Sequence, residues 1–449
     1  MRTGIYLGLI LLAAAPVWSQ AANTAAEEAI DEANRGDRML TPPPVSGQAY
    51  SVALDSDEHK NYLHYGVAFS SAYSDNVLGG AMGHPVSDVS YSVWPTIGMD
   101  ETTSRLHWDL AYSPGFTFYQ RTSARNEADH NALLAFQYRL SPHVTFSAND
   151  RFQKSSNVFN QPGLASGFVT GGGQGPNDSV VAPIADRLSN FGNVSLTYQY
   201  SASDMVGASG TFGTLHYPNA AQAPGLWDAS SQAGAGFYTH RFSKQQYVGV
   251  TYQYQRLMSF PGGVTDETQS HGIFLFYTVY PAHQFSMSFF GGPQYSDTVQ
   301  SAQTSLEIPS LTSRSWAPAG GASLAWEGHF SSAALSYSHA VSGGGGLLGA
   351  VRLDQASVAL RQRLTRNLSG SLAGLYANNN LLGTAFAFSN GHSISATAAV
   401  ERRIGENLNL QLGYTRLHQT YNIPVIAGAP DTNREFITLS YDLMRPLGR

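Results

Sequence analysis

The 449 residues contain no cysteine and little charge. Without cysteine there is neither a disulfide framework nor a thiolate metal site. Asp, Glu, Lys and Arg make up 12% of the chain, about half of the roughly 25% usual in soluble domains. Lysine occurs only at Lys60, Lys154 and Lys244, the formal net charge is a mild −6, and basic residues do not cluster. That excludes a nucleic-acid footprint, so no nucleic-acid partner is expected. Beyond residue 20 no apolar run approaches the ~18 residues of a transmembrane helix. With a mean hydropathy of −0.19, the chain is not a helical membrane protein. The 14 histidines follow no metal-ligand spacing, and no cofactor is expected.

Against these absences stand 45 glycines and 12% aromatics. Few charges, many rings and no long greasy run fit strands that are apolar on one side and polar on the other. The first residues, "MRTGIYLGLILLAAAPVWSQ", carry Arg2, an apolar core and small residues at Ser19 and Ala21. This is the three-part pattern of an export signal, assigned to 1–19. Residues 20–60 read as a periplasmic N-terminal linker. There either a short helix capped by Thr24 or, the reading preferred, a solvated and mostly disordered lead-in precedes the stiff "TPPPVSG".

From residue 61 to 449 the chain alternates. Leu63, Tyr65, Val67 and Phe69 are set against His64, Gly66, Ala68 and Ser70; Val248, Val250, Tyr252 and Tyr254 against Gly249, Thr251, Gln253 and Gln255. A period of two puts these sets on opposite strand faces. Each segment is about 9–12 residues, the length of a tilted membrane-crossing strand. About 18 segments can be counted, with 16 as the alternative because those near Val206, Ala233 and Ala322 are glycine-rich. Hinges near 203, 244, 282, 328, 366 and 406 are short. Intervening stretches such as 155–187 and 296–316 are long and rich in Gly, Pro, Ser and Asn. The fold expected is all-β: a transmembrane antiparallel up-and-down barrel with short periplasmic turns and long extracellular loops. A β-propeller with a period near 40 is the rival, but each repeat offers two long strands rather than four short ones.

In such a barrel the greasy row meets outer-membrane lipid. Tyr138, Phe146, Tyr200, Phe242, Tyr280, Phe285 and Trp326, close to the short turns, would form an aromatic girdle. The other row would line a water-filled lumen. Its candidate members are His107, Asp109, Gln137, Arg139, Asn149, Arg151, Gln253, Gln255, Arg361 and Gln411. Several arginines among them suggest a partly cationic wall, or charges that pair across the barrel. The 160–187 stretch could fold into the mouth or lie on the surface.

Enzymatic motifs are weak. In "FSNGHS" (388–393) His392 follows the serine instead of preceding it, and Ala387 occupies the place where an outer-membrane phospholipase has its base. "SHAVSGGGG" (338–346) sets a histidine beside a serine in a glycine run. "SGGGGLLG" (342–349) lacks the Lys-Ser/Thr of a phosphate loop and reads as a surface turn. His84, Asp75 and Asp88 fall at the outer rim without a supporting pattern. The chain is therefore not expected to be an enzyme.

At "AYSDNV" (72–77), "VWPTIGM" (93–99), "DLAYSPGFTFYQ" (109–120), "NALLAFQYRLSPHVTFSANDRF" (131–152) and "FITLSYDLMRPLGR" (436–449) the sequence resembles a family of outer-membrane β-barrel porins. Members of that family are often associated with exopolysaccharide or PEP-CTERM-type surface systems. The likeness covers most of 61–449. It implies an outer-membrane barrel inserted by the barrel-assembly machinery, acting as a passive channel for small hydrophilic solutes. The alternative is a non-enzymatic barrel tied to exopolysaccharide secretion, and the oligomeric state stays open. Many outer-membrane barrels end in an aromatic residue. Here the chain runs on to Arg449, so either Tyr441 and Leu443 serve as the assembly signal or assembly recognition differs.

Overall fold

A computed structural model of the protein describes residues 39, 61–79, 84–155, 159, 177, 179–180, 185–282, 284–302, 310–382, 390–421 and 431–447. The export signal and, apart from Met39, the 20–60 segment lie outside these residues. The described chain is almost wholly strand. In order the strands are β1 Tyr62–Ser74, β2 Asp88–Thr102, β3 Leu106–Tyr119, β4 Glu127–Arg139, β5 Val144–Ser155, β6 Arg187–Gln199, β7 Asp204–His216, β8 Ala229–Ser243 and β9 Gln246–Ser259. The second half comprises β10 Asp266–Ala282, β11 Phe285–Gln300, β12 Leu311–Glu327, β13 Ser331–Gly343, β14 Ala350–Thr365, β15 Leu368–Leu381, β16 Gly391–Ile404, β17 Leu408–Tyr421 and β18 Asp431–Pro446. Each strand pairs antiparallel with its neighbours in sequence, and β1 closes on β18 from Tyr62 opposite Pro446 to Ser74 opposite Arg434. The result is a closed 18-stranded barrel. No described helix is long and apolar enough to cross a membrane.

Along most of the wall the two faces of a strand differ as the alternation requires. On β3 the exposed row is Leu110, Tyr112, Phe116 and Phe118, while Asp109, Ala111, Gly115 and Thr117 are buried. On β6 Val194, Leu196 and Tyr198 point outward, and Ser195 inward reaches Ser147 Oγ of β5 at 2.6 Å. Hydrocarbon leaves backbone polar groups no water to bond, and closure supplies every interior strand with two partners. An apolar exterior on a sealed antiparallel sheet makes this an outer-membrane protein. Connections at one end are minimal, as at 244–245 and 366–367, and at the other they reach 156–186. The short turns therefore face the periplasm. Inside, glycines let rings lie flat on the wall. A Cβ on Gly115 would sit 2.3 Å from the Trp94 ring, so only glycine admits that packing.

Three expectations need correction. The 296–316 connection is shorter than expected, because β11 runs to Gln300 and β12 starts at Leu311, leaving 301–310 between them. Its outward pair of Asp297 and Arg314 is too polar for hydrocarbon and reads as headgroup-level, and serines lie on the inward row. Tyr280 does not join the girdle. It continues the inward row of Phe274, Phe276 and Thr278 and packs edge-on against Tyr247, with centroids 6.0 Å apart. The 342–349 stretch is not a surface turn, since Leu347 is fully buried. The segments near Val206, Ala233 and Ala322 belong to genuine strands, so the count is 18, not 16.

Candidate functional site

The barrel interior divides into two walls. On β2 to β6 and β18 the buried row carries charge: Asp88, Asp109, Asp129 and Arg187 are each under 8% exposed. Asp100 stands directly opposite Asp109 in the β2–β3 register. Arg434 lies 4.8 Å over the Phe159 ring. Acids stand among the arginines, so this wall is not simply cationic. From β9 to β17 the outer half of the buried row is mostly hydroxyls and amides, Thr251, Thr268, Ser270, Gln294, Ser296, Ser338, Gln355, Ser357, Ser393 and Gln419, with the buried acid Asp266 at the outer end of β10 as an exception.

The sequence-derived candidates share these buried rows without converging. His107 Nδ1 bonds Thr102 Oγ1 at 2.8 Å, and Asp109 is next to it on the same face. Gln137 lies opposite His107 and Ser147, and Arg139 is opposite Thr145. Asn149 is exposed and Arg151 half-exposed on the same face of β5 as the buried Gln153. Gln253 and Gln255, 3% and 1% exposed, belong to the hydroxyl- and amide-rich wall. Near the periplasmic end Arg361 Nη2 reaches Glu401 Oε2 at 4.0 Å, and Gln411 sits opposite Glu401.

Sequence reasoning missed how the outer mouth is closed. Ala340, Val341 and Ser342 at the outer end of β13 are buried in succession. Alternation fails there because both faces of the strand are covered. The β13–β14 hairpin turns inward into the mouth. Leu347, Val351 and Leu353 pack with Val180, Ala185, Leu215, Tyr217 and Leu226 in one apolar cluster. Trp227 N–H donates to Gly346 O at 2.7 Å, and Gly349 N–H to Ser259 Oγ at 3.0 Å. Beside it Asn177 Nδ2 donates to Asn379 Oδ1 at 2.7 Å, and Asn379 Nδ2 donates to Ser179 Oγ and Tyr421 Oη, each at 2.9 Å. The described residues of the 160–187 stretch thus include several inside the barrel; the others lie outside the described residues. Two leucines inside a glycine run were the available signal, since a solvated turn has no use for them. At the opposite end Met39 enters the lumen beside Met205 and Tyr247, and its N–H donates to Gln199 Oε1 at 3.1 Å.

In "FSNGHS" the serine that precedes His392, Ser389, lies outside the described residues, and His392 faces outward beside His418 with the rings tilted at 44°. In "SHAVSGGGG" Ser338 faces inward while His339 bonds Asp354 at 2.5 Å on the outside. At the rim Asp75 accepts from Asn433, and Asp88 accepts from the backbone of Arg121 and Thr122, so both acids tie loops down. No group of three metal-ligating side chains occurs among the described residues.

No protein-family model and no curated protein matches the chain. Among solved structures it is similar to OccK2 (OpdF) of Pseudomonas aeruginosa, at 10% identity and a TM-score of 0.42, over 86% of this chain and 98% of that one. OccAB4 of Acinetobacter baumannii is similar at 9% identity and a TM-score of 0.39, over 87% and 100%. The ferric citrate transporter FecA is similar at 9% identity and a TM-score of 0.42, over 83% of this chain; the match spans 63% of FecA.

Proposed function

We propose that the barrel is a porin-like channel for passive diffusion of small hydrophilic solutes, shut at its outer mouth by the inturned β13–β14 hairpin. The observation that carries this reading is the continuous polar inward row. Toward the periplasm that row is half-exposed, at His107, Gln137, Ser371, Glu401 and Gln411 for example, whereas most of its outer ends are buried. Eighteen strands enclose more space than wall side chains alone fill, which leaves an aqueous lumen, and the chain's own β13–β14 hairpin lies across its mouth. Residues 1–19 act in this reading as the export signal, 20–60 as a periplasmic segment and 61–449 as the barrel, with no catalytic role. The exopolysaccharide association rests on the sequence resemblance alone.

Ion conductance in planar bilayers tests the proposal, with refolding checked by heat-modifiable mobility on gels. Wild type should conduct in brief openings. Leu347→Asp, which puts a carboxylate where a fully buried leucine sits, should expel the hairpin and hold the channel open. A folded Leu347→Asp barrel that passes no current would refute the channel.

A further inference from the structure

The barrel wall is not equally sealed all the way round. The β12–β13 ladder runs from Glu327 opposite Ser332 up to Gly320 opposite His339 and stops there. Above that point residues 311–319 of β12 pair with β11 only, and 340–343 of β13 pair with β14 only. Among the described residues no backbone hydrogen bond bridges the parted edges. β13 has instead moved inward: Val341 N–H donates to the Gln294 side chain on β11 at 3.1 Å, past the whole width of β12. Val341 and Ala350 pack with Leu257 on β9, across the lumen.

The parting lies partly at acyl-chain depth. Trp316, 71% exposed on the lipid side and against Tyr295, marks the outer headgroup level. Among the described residues, 317–319 are therefore an open strand edge within the outer leaflet. Lipid-exposed open edges do not occur at that depth, because their backbone groups have no partner; irregular backbone persists there only where it lines a cavity or is covered. The lumen behind this edge is also apolar where the surrounding wall is polar. Phe274, Ala319 and Ala340 are 3%, 4% and 8% exposed and pack with Phe290. At the lip, Arg352 stands opposite Val341, half-exposed, its Nε without a partner among the described residues.

We propose that the parted edges of β12 and β13 form a lateral opening through which a single-chain anionic amphiphile, of the fatty-acid class, passes between the lumen and the outer leaflet. The tail follows the Phe274–Phe290 patch, and the carboxylate meets Arg352. This activity goes beyond axial diffusion of hydrophilic solutes and does not depend on it.

Because the chain has no cysteine, the seam can be locked cleanly. Extending the existing register sets Ala317 opposite Ser342, at the 4.5–5.5 Å Cα spacing of an antiparallel pair, about that of a disulfide. The probe is a diazirine-bearing palmitate presented to the refolded barrel in bilayers, with labelled residues mapped by mass spectrometry. In wild type, label should reach the inward face of β10 to β13. In Ala317→Cys/Ser342→Cys it should fall several-fold on oxidation and return on reduction, and Arg352→Gln should lower it without any lock. If the double variant does not fold, Ala317→Cys carrying a bulky maleimide serves as the lock. Label confined to lipid-facing residues, or inner-face label unchanged by a formed lock, would overturn the proposal. So would disulfide-linked dimers of Ala317→Cys, since the edge would then be pairing with a second copy. Potassium chloride conductance recorded in parallel separates failure here from failure of the axial channel.

Discussion

The β1–β18 junction and the β12–β13 junction teach different lessons about closing a sheet. β1 and β18 come from opposite ends of the chain, yet their ladder is continuous over all of Tyr62–Ser74. β12 and β13 are joined by only residues 328–330, yet their ladder fails above Gly320. Loop-closure entropy would favour the opposite outcome, because short connections are the cheaper ones to close. Side chains decide it. On β18 the outward row Ile437, Leu439 and Tyr441 and the inward Thr432 and Thr438 give each face one solvent. At the outer end of β13 and in its turn, Val341 and Leu347 are apolar with nowhere lipid-facing to go. They are buried against Leu257 and Val180 respectively. Pro318, Gly320 and Gly321 of β12 offer little to hold the strand in place.

Proline separates the two junctions most sharply. Thr438 is paired on both sides, with Ser70 and Gln411. Thr438→Pro removes a ladder N–H inside the membrane, where an unsatisfied backbone group costs several kcal/mol. No heat-modifiable folded band should form. On the free edge of β12, proline at alternate positions among 312–315 should leave that band intact, because every second N–H there points into the seam. Loss of folding at all four positions would show that the edge is paired after all.

What could be read from sequence follows the same division. Wherever each strand face meets one environment, a period of two survives. The hinges read near 203, 244, 328, 366 and 406 fall in the observed gaps 200–203, 244–245, 328–330, 366–367 and 405–407. The start read at Ala322 is late because β12 begins at Leu311, and its outer half faces headgroups and a seam instead of hydrocarbon on one side and water on the other. The closed mouth was illegible for a related reason. Its contacts join residues as distant as Asn177 and Asn379, or Val180 and Leu347, and no local period records them. Tyr280 went astray because an aromatic near a turn satisfies both the girdle and the inward row, and only its partner Tyr247 distinguishes them.

A smaller change tests what pulls the hairpin inward. Leu257→Ala removes the β9 side chain that Val341 and Ala350 cover. Truncating a buried leucine costs about 2–5 kcal/mol, and here the loss falls on the inturned conformation more than on the ladders. β13 should spend more time re-zipped against β12. Amide exchange across 312–318, read by mass spectrometry in detergent, should slow in the variant. Unchanged exchange would mean that the inward pull comes from the Val180–Leu347 cluster and not from β9.

The least disruptive test concerns the glycine at the fork. A Cβ on Gly321 would lie 2.4 Å from the Phe290 ring and 2.6 Å from the Tyr337 carbonyl oxygen. The ring can swing away but the carbonyl is backbone, so Gly321→Ala forces the last paired rungs apart. Overpacking of this kind costs about 1–3 kcal/mol. The melting temperature should fall modestly, with the seam opening one rung lower and the ring leaving Ala319 and Ala340. Phe290→Leu in the Gly321→Ala background removes the ring clash and leaves the carbonyl clash. Full recovery of stability would assign the fork to ring packing, whereas partial recovery would assign it to the close approach of β12 and β13 backbones that only glycine allows.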